Sequence, residues 1–429
     1  MFRRVALNTI VQGAGRAAVL LFSLITTGIL TRSMGVDGYG AYAFVTAFVL
    51  LFGSVGDWGT NIIAVREASQ KKDLQPAVFG NATLFRLALS FIGLLLLNLA
   101  VRINPAWDKF VEPTTIASFV LLALSLKTSV GIIFQTLLRY EFSVIVEIFS
   151  SLAFLGLVLF MISGGLSGVM LSWLFATVLA SLVGLFFARR LSPISWTPNI
   201  KIIKRLFWEA APAGALFLFF NLYNRVDTVI LHYFQGEEAV GIYGLAYKVH
   251  DNLVLGAAFL MNAMFPLFSA GIIKAGKKAD LKKYYQKAFD LLFGGGLIIF
   301  FLFFAAAPFI IKLLGGDQFL LSIGTLRLLL FATFIAYFNH LTGYSLIAFG
   351  RQKTSMLIAL AALVFNIIAN VLLIPLYSYT AAAAVTVATE GLVLLLSTLA
   401  VRGATGIFPS VFSPPKTWLS LARGKVNIF

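Results

Sequence analysis

The chain has 429 residues, of which 60% are hydrophobic and 12% are charged, and its formal net charge is +16. Soluble domains carry about a quarter of charged residues, so this composition excludes a soluble protein. The sequence contains no cysteine, which excludes disulfides and thiolate metal sites, and its three histidines do not favour a histidine-rich metal site.

Long apolar runs predict an all-α membrane protein. A helix needs roughly 20 apolar residues to cross the hydrocarbon layer of a bilayer. The first residues, MFRRVALNTI, are expected to belong to the first helix and not to a cleavable signal peptide. In chain order we predict twelve transmembrane helices, near residues 5–29, 40–63, 79–101, 115–137, 143–163, 167–188, 209–234, 239–266, 287–311, 320–347, 355–377 and 380–401.

The basic loop 189–208 divides these helices into two sets of six. We therefore predict an N-terminal lobe over 1–190, a basic cytoplasmic linker over 191–208 and a C-terminal lobe over 209–402. Residues 403–429 lack an apolar run of spanning length and are predicted to form a cytoplasmic tail.

The distribution of basic residues predicts the orientation. Most of the 33 Lys and Arg residues fall on the side that holds both termini, and only Arg32, Arg102, Lys109 and Lys312 fall in loops on the other side. Such an excess marks the cytoplasmic side, so both termini are expected in the cytoplasm. Since topology accounts for most of the positive charge, a nucleic-acid partner is not expected.

Two segments resemble each other at matching places in the two halves. GVDGYGAYAF (35–44) and GEEAVGIYGL (236–245) share two glycines and a tyrosine at one constant spacing. GGLSGVMLS (164–172) and YSYTAAAAV (377–385) form a weaker pair. An internal repeat would give two pseudo-symmetric six-helix lobes around a central cavity. Chance is the alternative, because Gly and Tyr are common at helix starts near the interface.

Eleven charged residues are predicted to lie within the helices. A charge inside a span is costly unless it faces protein or water, so each is a functional candidate. Snorkelling to the membrane surface is at least as good an interpretation for the two cations nearest a helix end, Arg86 and Arg327. The cations are Arg16, Arg86, Lys127, Arg225, Lys248 and Arg327, and the acids are Asp57, Glu147, Asp227, Asp251 and Glu390.

A polar stripe runs along the first helix. Asn8, Gln12 and Arg16 recur every four residues and therefore share one face. This pattern predicts a water-filled path beside the helix. Hydrogen bonds between helices are an equal alternative for Asn8 and Gln12.

The stretch NLYNRVDTVI (221–230) places two charges and two amides in an apolar helix. Asn221 and Arg225 are spaced to share one face, and Asn224 and Asp227 are spaced to share another. We interpret the first face as the side of an anionic substrate and the second as the side of a coupling cation. A structural ion pair with another helix is the alternative for each charge, and Lys248 is spaced to neutralise Asp251.

Three segments carry a family resemblance. TRSMGVDGYGAYAFVTAFVLLFGSVGDWGTNIIAVREAS (31–69), NRVDTVILHYFQGEEAVGIYGLAYKV (224–249) and YSLIAFGRQKTSMLIALAALVFNIIANVLLIPLY (344–377) resemble signatures of the O-antigen-type polysaccharide flippases. These proteins move lipid-linked oligosaccharides and belong to the multidrug/oligosaccharidyl-lipid/polysaccharide exporter superfamily.

The resemblance implies a multi-pass protein of the cell (inner or plasma) membrane that works by alternating access between two lobes. Its implied cargo is a polyprenyl-pyrophosphate-linked oligosaccharide, moved from the cytoplasmic to the outer leaflet for cell-surface polysaccharide biosynthesis. A polysaccharide polymerase and glycosyltransferases are the implied partners. No cofactor is expected, and Na⁺ and H⁺ are the candidate coupling ions.

The related lipid II flippases carry a sodium site in the second lobe. At similar spacing this chain has Asp227, Asn366, Asn370, Ala382 and Thr386. Asn370 stands where that pattern has a carboxylate, which leaves the implied site one charge poorer. For the two asparagines, hydrogen bonding between helices is an equal alternative.

These patterns lead to two predicted groups of site residues, with no catalytic residue and no certain metal site. Arg16, Lys127, Arg225, Lys248, Asn8 and Gln12 are predicted to bind substrate, and Asp227, Asn366, Asn370 and Thr386 are predicted to couple transport to an ion.

Two alternative functions would each require different features in the sequence. A cation-coupled multidrug or small-molecule antiporter of the same superfamily would have a cavity dominated by carboxylates and aromatic rings. A membrane-embedded glycosyltransferase or polymerase would have a large extramembrane loop with acidic catalytic residues. The longest outward loop, 102–114, is short, and the sequence has no nucleotide-binding glycine-rich loop. We therefore expect a transporter and not an enzyme.

Overall fold

The computed structural model describes residues 2–273, 278–410, 413–414 and 418, and the side chains within 12–261 and 281–410 together with those of 413, 414 and 418. Within this part of the chain there is no β-strand. The helices are α1 (Phe2–Asp57), α2 (Thr60–Gln70), α3 (Gln75–Val101), α4 (Asp108–Ser118), α5 (Val120–Thr136), α6 (Tyr140–Met161), α7 (Gly165–Leu191), α8 (Ile200–Tyr223), α9 (Val226–Ile273), α10 (Lys278–Gly315), α11 (Ser322–Ala348) and α12 (Gln352–Thr405).

Eight helical segments of the described chain are long and apolar enough to span a membrane. Four of them, at 12–70, 140–191, 200–261 and 352–405, contain between 52 and 62 residues, about twice the length of one span. The protein is therefore a multi-pass, all-helical membrane protein, as the composition predicts.

Two of the longest helices change direction at glycines that match in the sequence. Gly35 in α1 has φ 70° and ψ −172°, and Gly236 in α9 has φ 76° and ψ −167°. Residues with a Cβ rarely adopt this region of backbone space. The two glycines that open the similar segments 35–44 and 236–245 thus share one unusual conformation.

The second, weaker sequence pair shows the same behaviour. Gly165 has φ 62° and ψ −145°, and Ser378 in α12 has φ 53° and ψ −139°. The chain turns back at Ser378, as a hydrogen bond between residues on either side of it shows. Asn366 Nδ2 donates to Thr389 Oγ1 at 3.1 Å. In a straight helix, residues 23 positions apart would be about 35 Å apart. The two halves of α12 therefore pack side by side.

The chain divides into two compact units, Met1–His232 and Tyr233–Phe429. In the first unit α1 packs against α3 and α6, α3 packs against α5, and α7 packs against both α5 and α6. In the second unit α11 packs against α10 and α12. The lobe, linker and tail boundaries that we derived from the sequence stay predictions.

The loop before α8 packs closely against the start of α3. Ser195 N donates to Pro76 O at 2.9 Å, and Asn199 N donates to Asn81 Oδ1 at 2.6 Å. A Cβ on Gly80 would lie 1.7 Å from Ser195 O, so only glycine permits this approach. The first turns of α8 are thereby fixed to the first unit.

Two reciprocal ion pairs hold α2 against α8. Arg66 of α2 pairs with Glu209 of α8, and Arg205 of α8 pairs with Glu67 of α2. The indole of Trp58, just before α2, stacks on Phe207 with ring centroids 5.3 Å apart. These contacts hold together two helices, α2 and α8, that both contribute residues to the cavity described next.

Candidate functional site

A cavity of about 410 Å³ lies within the first unit. Its walls come from α1, α2, α3, α5, α6 and α8, so it is a feature of the helix packing and not of a surface loop. The polar and charged residues that line it are Gln12, Arg16, Asp57, Asn61, Arg86, Lys127, Thr128, Gln135, Tyr140, Ser143 and Glu147.

Small residues bring the walls close together at two places. A Cβ on Gly56 would lie 2.3 Å from Ser90 Oγ, which shows how closely α1 approaches α3. A Cβ on Gly15 would lie 2.2 Å from Val144 Cγ1, which shows the same for α1 and α6. The first contact places the end of α1 beside α3, and the second places Arg16 beside α6.

The most buried charge of the cavity is Arg86 of α3. Its side chain is 3% exposed, and its Nη2 donates to Asp57 Oδ1 at 2.5 Å. The Nε and Nη1 atoms of Arg86 are buried and have no hydrogen-bond partner among the described residues. Snorkelling, which we considered at least as good an interpretation for Arg86, is therefore wrong. The guanidinium keeps two donors that a bound anion could use.

A second ion pair at the cavity joins α5 and α6. Lys127 Nζ of α5 is 3.2 Å from Glu147 Oε2 of α6, and the side chains are 11% and 44% exposed. Between the walls, Asn61 Nδ2 donates to Gln135 Oε1 at 3.0 Å. Lys127 thus lines the cavity, but its positive charge is paired with the carboxylate of Glu147.

Arg16 of α1 is an exposed cation at the same cavity, and Gln12 lies one turn before it. Within the described chain, Arg16 makes no ion pair and no hydrogen bond. Three cations (Arg16, Arg86, Lys127) therefore line the cavity with two acids, and the formal excess is one positive charge. Asn8, the third member of the predicted stripe, has a helical backbone, but its side chain lies outside the described residues.

The helix that we predicted over 209–234 is interrupted. Helix α8 ends at Tyr223, Asn224 and Arg225 form a turn, and α9 begins at Val226. The two shared faces that we predicted assume one regular helix, and the turn at Asn224 and Arg225 interrupts that spacing; the substrate and coupling roles of the two faces stay predictions. Arg225 is half-buried in the turn and is not among the residues that line the cavity.

The two amides before the break bind to the helix itself. Asn221 Nδ2 donates to Phe217 O at 2.8 Å, and Asn224 Nδ2 donates to Phe220 O at 2.7 Å. Phe220 O also accepts from Asn224 N at 3.3 Å, so each amide bonds back to a carbonyl of its own helix. The amides therefore stabilise the end of a helix.

Asp227 lies in the first turn of α9 and is 1% exposed. Its Oδ1 accepts hydrogen bonds from Thr228 N at 2.6 Å and from Thr228 Oγ1 at 3.3 Å. A carboxylate at a helix N-terminus also gains from the helix dipole. Local backbone structure thus accounts for part of its stabilisation, and the coupling role stays a prediction.

Of the other predicted coupling residues, Asn366 and Asn370 are hydrogen-bonded to each other within α12, whereas Thr386 has different partners. Asn370 Nδ2 donates to Asn366 Oδ1 at 2.9 Å, and Asn366 donates onward to Thr389. Thr386 Oγ1 donates to Ala382 O at 2.9 Å and lies 3.1 Å from Tyr243 Oη. The structural alternative for the asparagines, hydrogen bonding between helical runs, is present, and sodium binding stays a prediction.

The last predicted substrate residue, Lys248, is half-buried on the part of α9 that belongs to the second unit. It is not among the residues that line the cavity. Nor does any group of three or more acidic or histidine side chains in the described chain lie where it could hold a metal ion.

Comparisons with known proteins agree with the sequence resemblance. The sequence model described as "Polysaccharide biosynthesis protein" matches residues 5–272, and a second, described as "MatE", matches residues 212–372. A search among curated protein sequences gives no match.

Solved structures of MOP superfamily transporters share the fold over nearly the whole chain. An inward-facing multidrug resistance MATE family transporter has a TM-score of 0.74 at 14% identity, covering 93% of this chain and 98% of that chain. The lipid II flippase MurJ in an inward closed conformation has a TM-score of 0.72 at 13% identity, covering 98% and 90%.

A MOP superfamily transporter from Pyrococcus furiosus, described by the reverse polarity of its binding pocket, has a TM-score of 0.63 at 15% identity, covering 94% and 95%. The first sequence model covers more than half of the chain. The chain therefore belongs to the polysaccharide biosynthesis protein family and has the fold of MOP superfamily transporters.

Proposed function

We propose that the protein is a flippase for a polyprenyl-pyrophosphate-linked oligosaccharide of the O-antigen type. It would move this lipid from the cytoplasmic to the outer leaflet of the cell membrane by alternating access, for cell-surface polysaccharide biosynthesis. Glycosyltransferases would supply the cargo, and a polysaccharide polymerase would use it. The family to which the chain belongs supports the polysaccharide connection.

One observation carries the choice of cargo: among the described residues, the cavity has a positive charge without an ion-pair partner. Arg16 is exposed to the cavity and has no ion pair in the described chain, and Arg86 has two buried donors without acceptors. A diphosphate needs its charge matched in a region of low dielectric. Arginine matches phosphate well, because its planar donors bind two oxygens at once.

The antiporter is the second candidate, and the match of residues 212–372 to the MatE model favours it. An organic cation would need the cavity acids Asp57 and Glu147 to be available. Each of them instead pairs with a cation, Arg86 and Lys127 respectively. The cavity therefore suits an anionic cargo better.

The architecture that we propose has twelve spans in two lobes. The four segments of double length would each contribute two spans, and the other four segments would contribute one each. The shared conformations at Gly35 and Gly236 and at Gly165 and Ser378 support a repeat.

Both termini would be cytoplasmic, and cysteine labelling can test this directly because the chain has no cysteine of its own. A membrane-impermeant thiol reagent added to intact cells is expected to label Lys109→Cys and to leave Lys353→Cys unlabelled until the cells are opened. Labelling of Lys353→Cys in intact cells would reverse the proposed orientation.

Reconstitution tests the function itself. Proteoliposomes would hold a fluorescent polyprenyl-pyrophosphate oligosaccharide in one leaflet, and an impermeant lectin would report its arrival in the other. The protein is expected to accelerate arrival many-fold over empty vesicles. Efflux of an organic-cation dye without lipid movement would favour the antiporter.

The same vesicles test the coupling role proposed for Asp227. We expect Asp227→Asn to keep the fold, since the amide oxygen still accepts the bond from Thr228 N. Transport should lose its dependence on a sodium or proton gradient, because the carboxylate charge is gone. A variant with unchanged dependence on both gradients would show that Asp227 is structural.

A further inference from the structure

A second polar site lies in the second unit and consists of Glu390 of α12 and Asn339 of α11. Asn339 Nδ2 donates to Glu390 Oε2 at 2.6 Å and to Glu390 O at 3.0 Å. Glu390 is 7% exposed. The pair therefore links two packed helices through a buried carboxyl group.

The position of this carboxyl is unfavourable for an anion. Glu390 lies twelve residues after the turn at Ser378, or about 18 Å along the helix, which is near the middle of a hydrocarbon layer about 30 Å thick. Among the described residues no basic group forms an ion pair with it. A carboxylate without a countercharge at this depth is disfavoured, so the neutral acid is the form that fits.

The side-chain amide of Asn339 has an oxygen that accepts no hydrogen bond from the described residues. Asn339 Oδ1 is buried and has no hydrogen-bond partner in the described chain. A neutral carboxylic acid offers one acceptor and one donor, whereas a carboxylate offers only acceptors. Of the two forms of Glu390, only the acid carries a donor, which is the kind of group that Asn339 Oδ1 lacks.

The titratable groups around Glu390 do not change the conclusion that the neutral acid is the form that fits. His340 follows Asn339 directly, and its ring lies 6.2 Å from that of Tyr344. The basic residues nearest along the two helices, Arg327 and Arg402, are each twelve positions, or about 18 Å, from their partner in the pair. Other titratable groups on the elements packed here are Tyr337 on α11, Lys353, Tyr377 and Tyr379 on α12, Lys282, Lys283, Tyr284, Tyr285, Lys287, Asp290 and Lys312 on α10, and Glu237, Glu238, Tyr243, Tyr247, Lys248, His250 and Asp251 on α9.

We propose that Glu390 and Asn339 form a proton-binding site, with the bound proton between the carboxyl and the amide. Transport would use the site by exposing Glu390 to water in one conformation, where the carboxyl loses its proton, and by enclosing it in the other. This coupling role rests on the proposed transport function, whereas proton binding does not.

Infrared spectroscopy of the purified protein tests proton binding without any cargo. At neutral pH in potassium buffer, we expect the carbonyl stretching band of a protonated carboxyl, and we expect Glu390→Gln to lose it. Glutamine keeps the size of the side chain and can donate to Asn339 Oδ1, so the variant should fold. Glu147→Gln is the matched control and should keep the band, since Glu147 is paired with Lys127. His340→Asn should also keep it.

Three results would overturn the site: a band unchanged in Glu390→Gln, no such band in the wild type, or a band that disappears when sodium replaces potassium. The last result would identify a sodium site. If Glu390→Gln fails to fold, alkaline titration of the wild type decides, because the proposal requires the band to fade as pH rises.

The vesicle assay then separates the site from the cargo. Glu390→Gln is expected to lose the response of lipid movement to a pH gradient, and an unchanged response would remove the coupling role. A protein that shows the band but moves no lipid-linked oligosaccharide would contradict the proposed function and leave the proton site standing.

Discussion

Replacing Arg16 by alanine is expected to abolish export of the glycan while the protein still inserts into the membrane at the wild-type level. Arg16 is the cavity cation without an ion pair in the described chain, and its side chain is exposed. Its removal leaves two cations and two acids at the cavity. The diphosphate headgroup then loses the cation that we propose to bind it. Stability should change little, because an exposed side chain without partners contributes little to the fold.

The measurement is surface polysaccharide in cells that lack the native gene, with immunoblots of the membrane fraction as a control for insertion. Arg16→Lys should restore part of the export, since it keeps the charge but loses the planar donors. Arg327→Gln is the matched control, because Arg327 lies in the second unit and its guanidinium is 5.0 Å from the ring of Phe304. Normal export in the Arg16→Ala cells would remove Arg16 from the site.

Breaking the pair of Arg86 and Asp57 is expected to destabilise the protein unequally, depending on which partner is lost. Asp57→Ala leaves a guanidinium that is 3% exposed without its countercharge, which should cost about 3 kcal/mol or more. Arg86→Met leaves a carboxylate that is 45% exposed and can take water from the cavity, so the loss should be about 1 kcal/mol.

Thermal unfolding of the purified variants in detergent measures this difference. The double variant Arg86→Met with Asp57→Leu should regain most of the stability lost in Asp57→Ala, because it buries no unpaired charge. It should also fail to transport. Equal losses in the two single variants would mean that the cavity does not hydrate Asp57 as the structure indicates.

Composition and apolar periodicity predict the class of this protein correctly, because a bilayer permits few alternatives to apolar helices of about 20 residues. The similarity between the sequences of 35–44 and 236–245 also points to a physical feature. Gly35 and Gly236 are the positions where the backbone adopts the unusual positive φ. A glycine requirement of this kind is visible in a sequence because few other residues meet it.

The candidate site is predicted less well. Arg16, Gln12 and Lys127 are predicted to bind substrate and do line one cavity. The sequence predicts Asp57, Arg86 and Glu147 as intramembrane charges but does not place them at the same cavity, because partners on different helices cannot be paired from one sequence.

The turn at residues 224–225 is a feature that the sequence pattern does not predict. Helical spacing assumes that the helix continues, and α8 stops at Tyr223. The two asparagines there resemble ligands in the sequence, but they satisfy carbonyls of their own helix. A signal of the break is the pair of amides itself, since asparagine competes well for backbone hydrogen bonds.

Binding of a lipid diphosphate to the purified protein tests most directly whether the cavity recognises such a headgroup. Isothermal titration with farnesyl pyrophosphate, which carries the diphosphate without the sugar, would compare the wild type with Arg16→Gln and with Arg327→Gln. Hydrogen bonds to a charged group contribute about 1.5–3 kcal/mol, so we predict that Arg16→Gln weakens binding by roughly 10- to 100-fold. Arg327→Gln should bind like the wild type. Equal affinity in all three proteins, or no binding to any of them, would contradict the account.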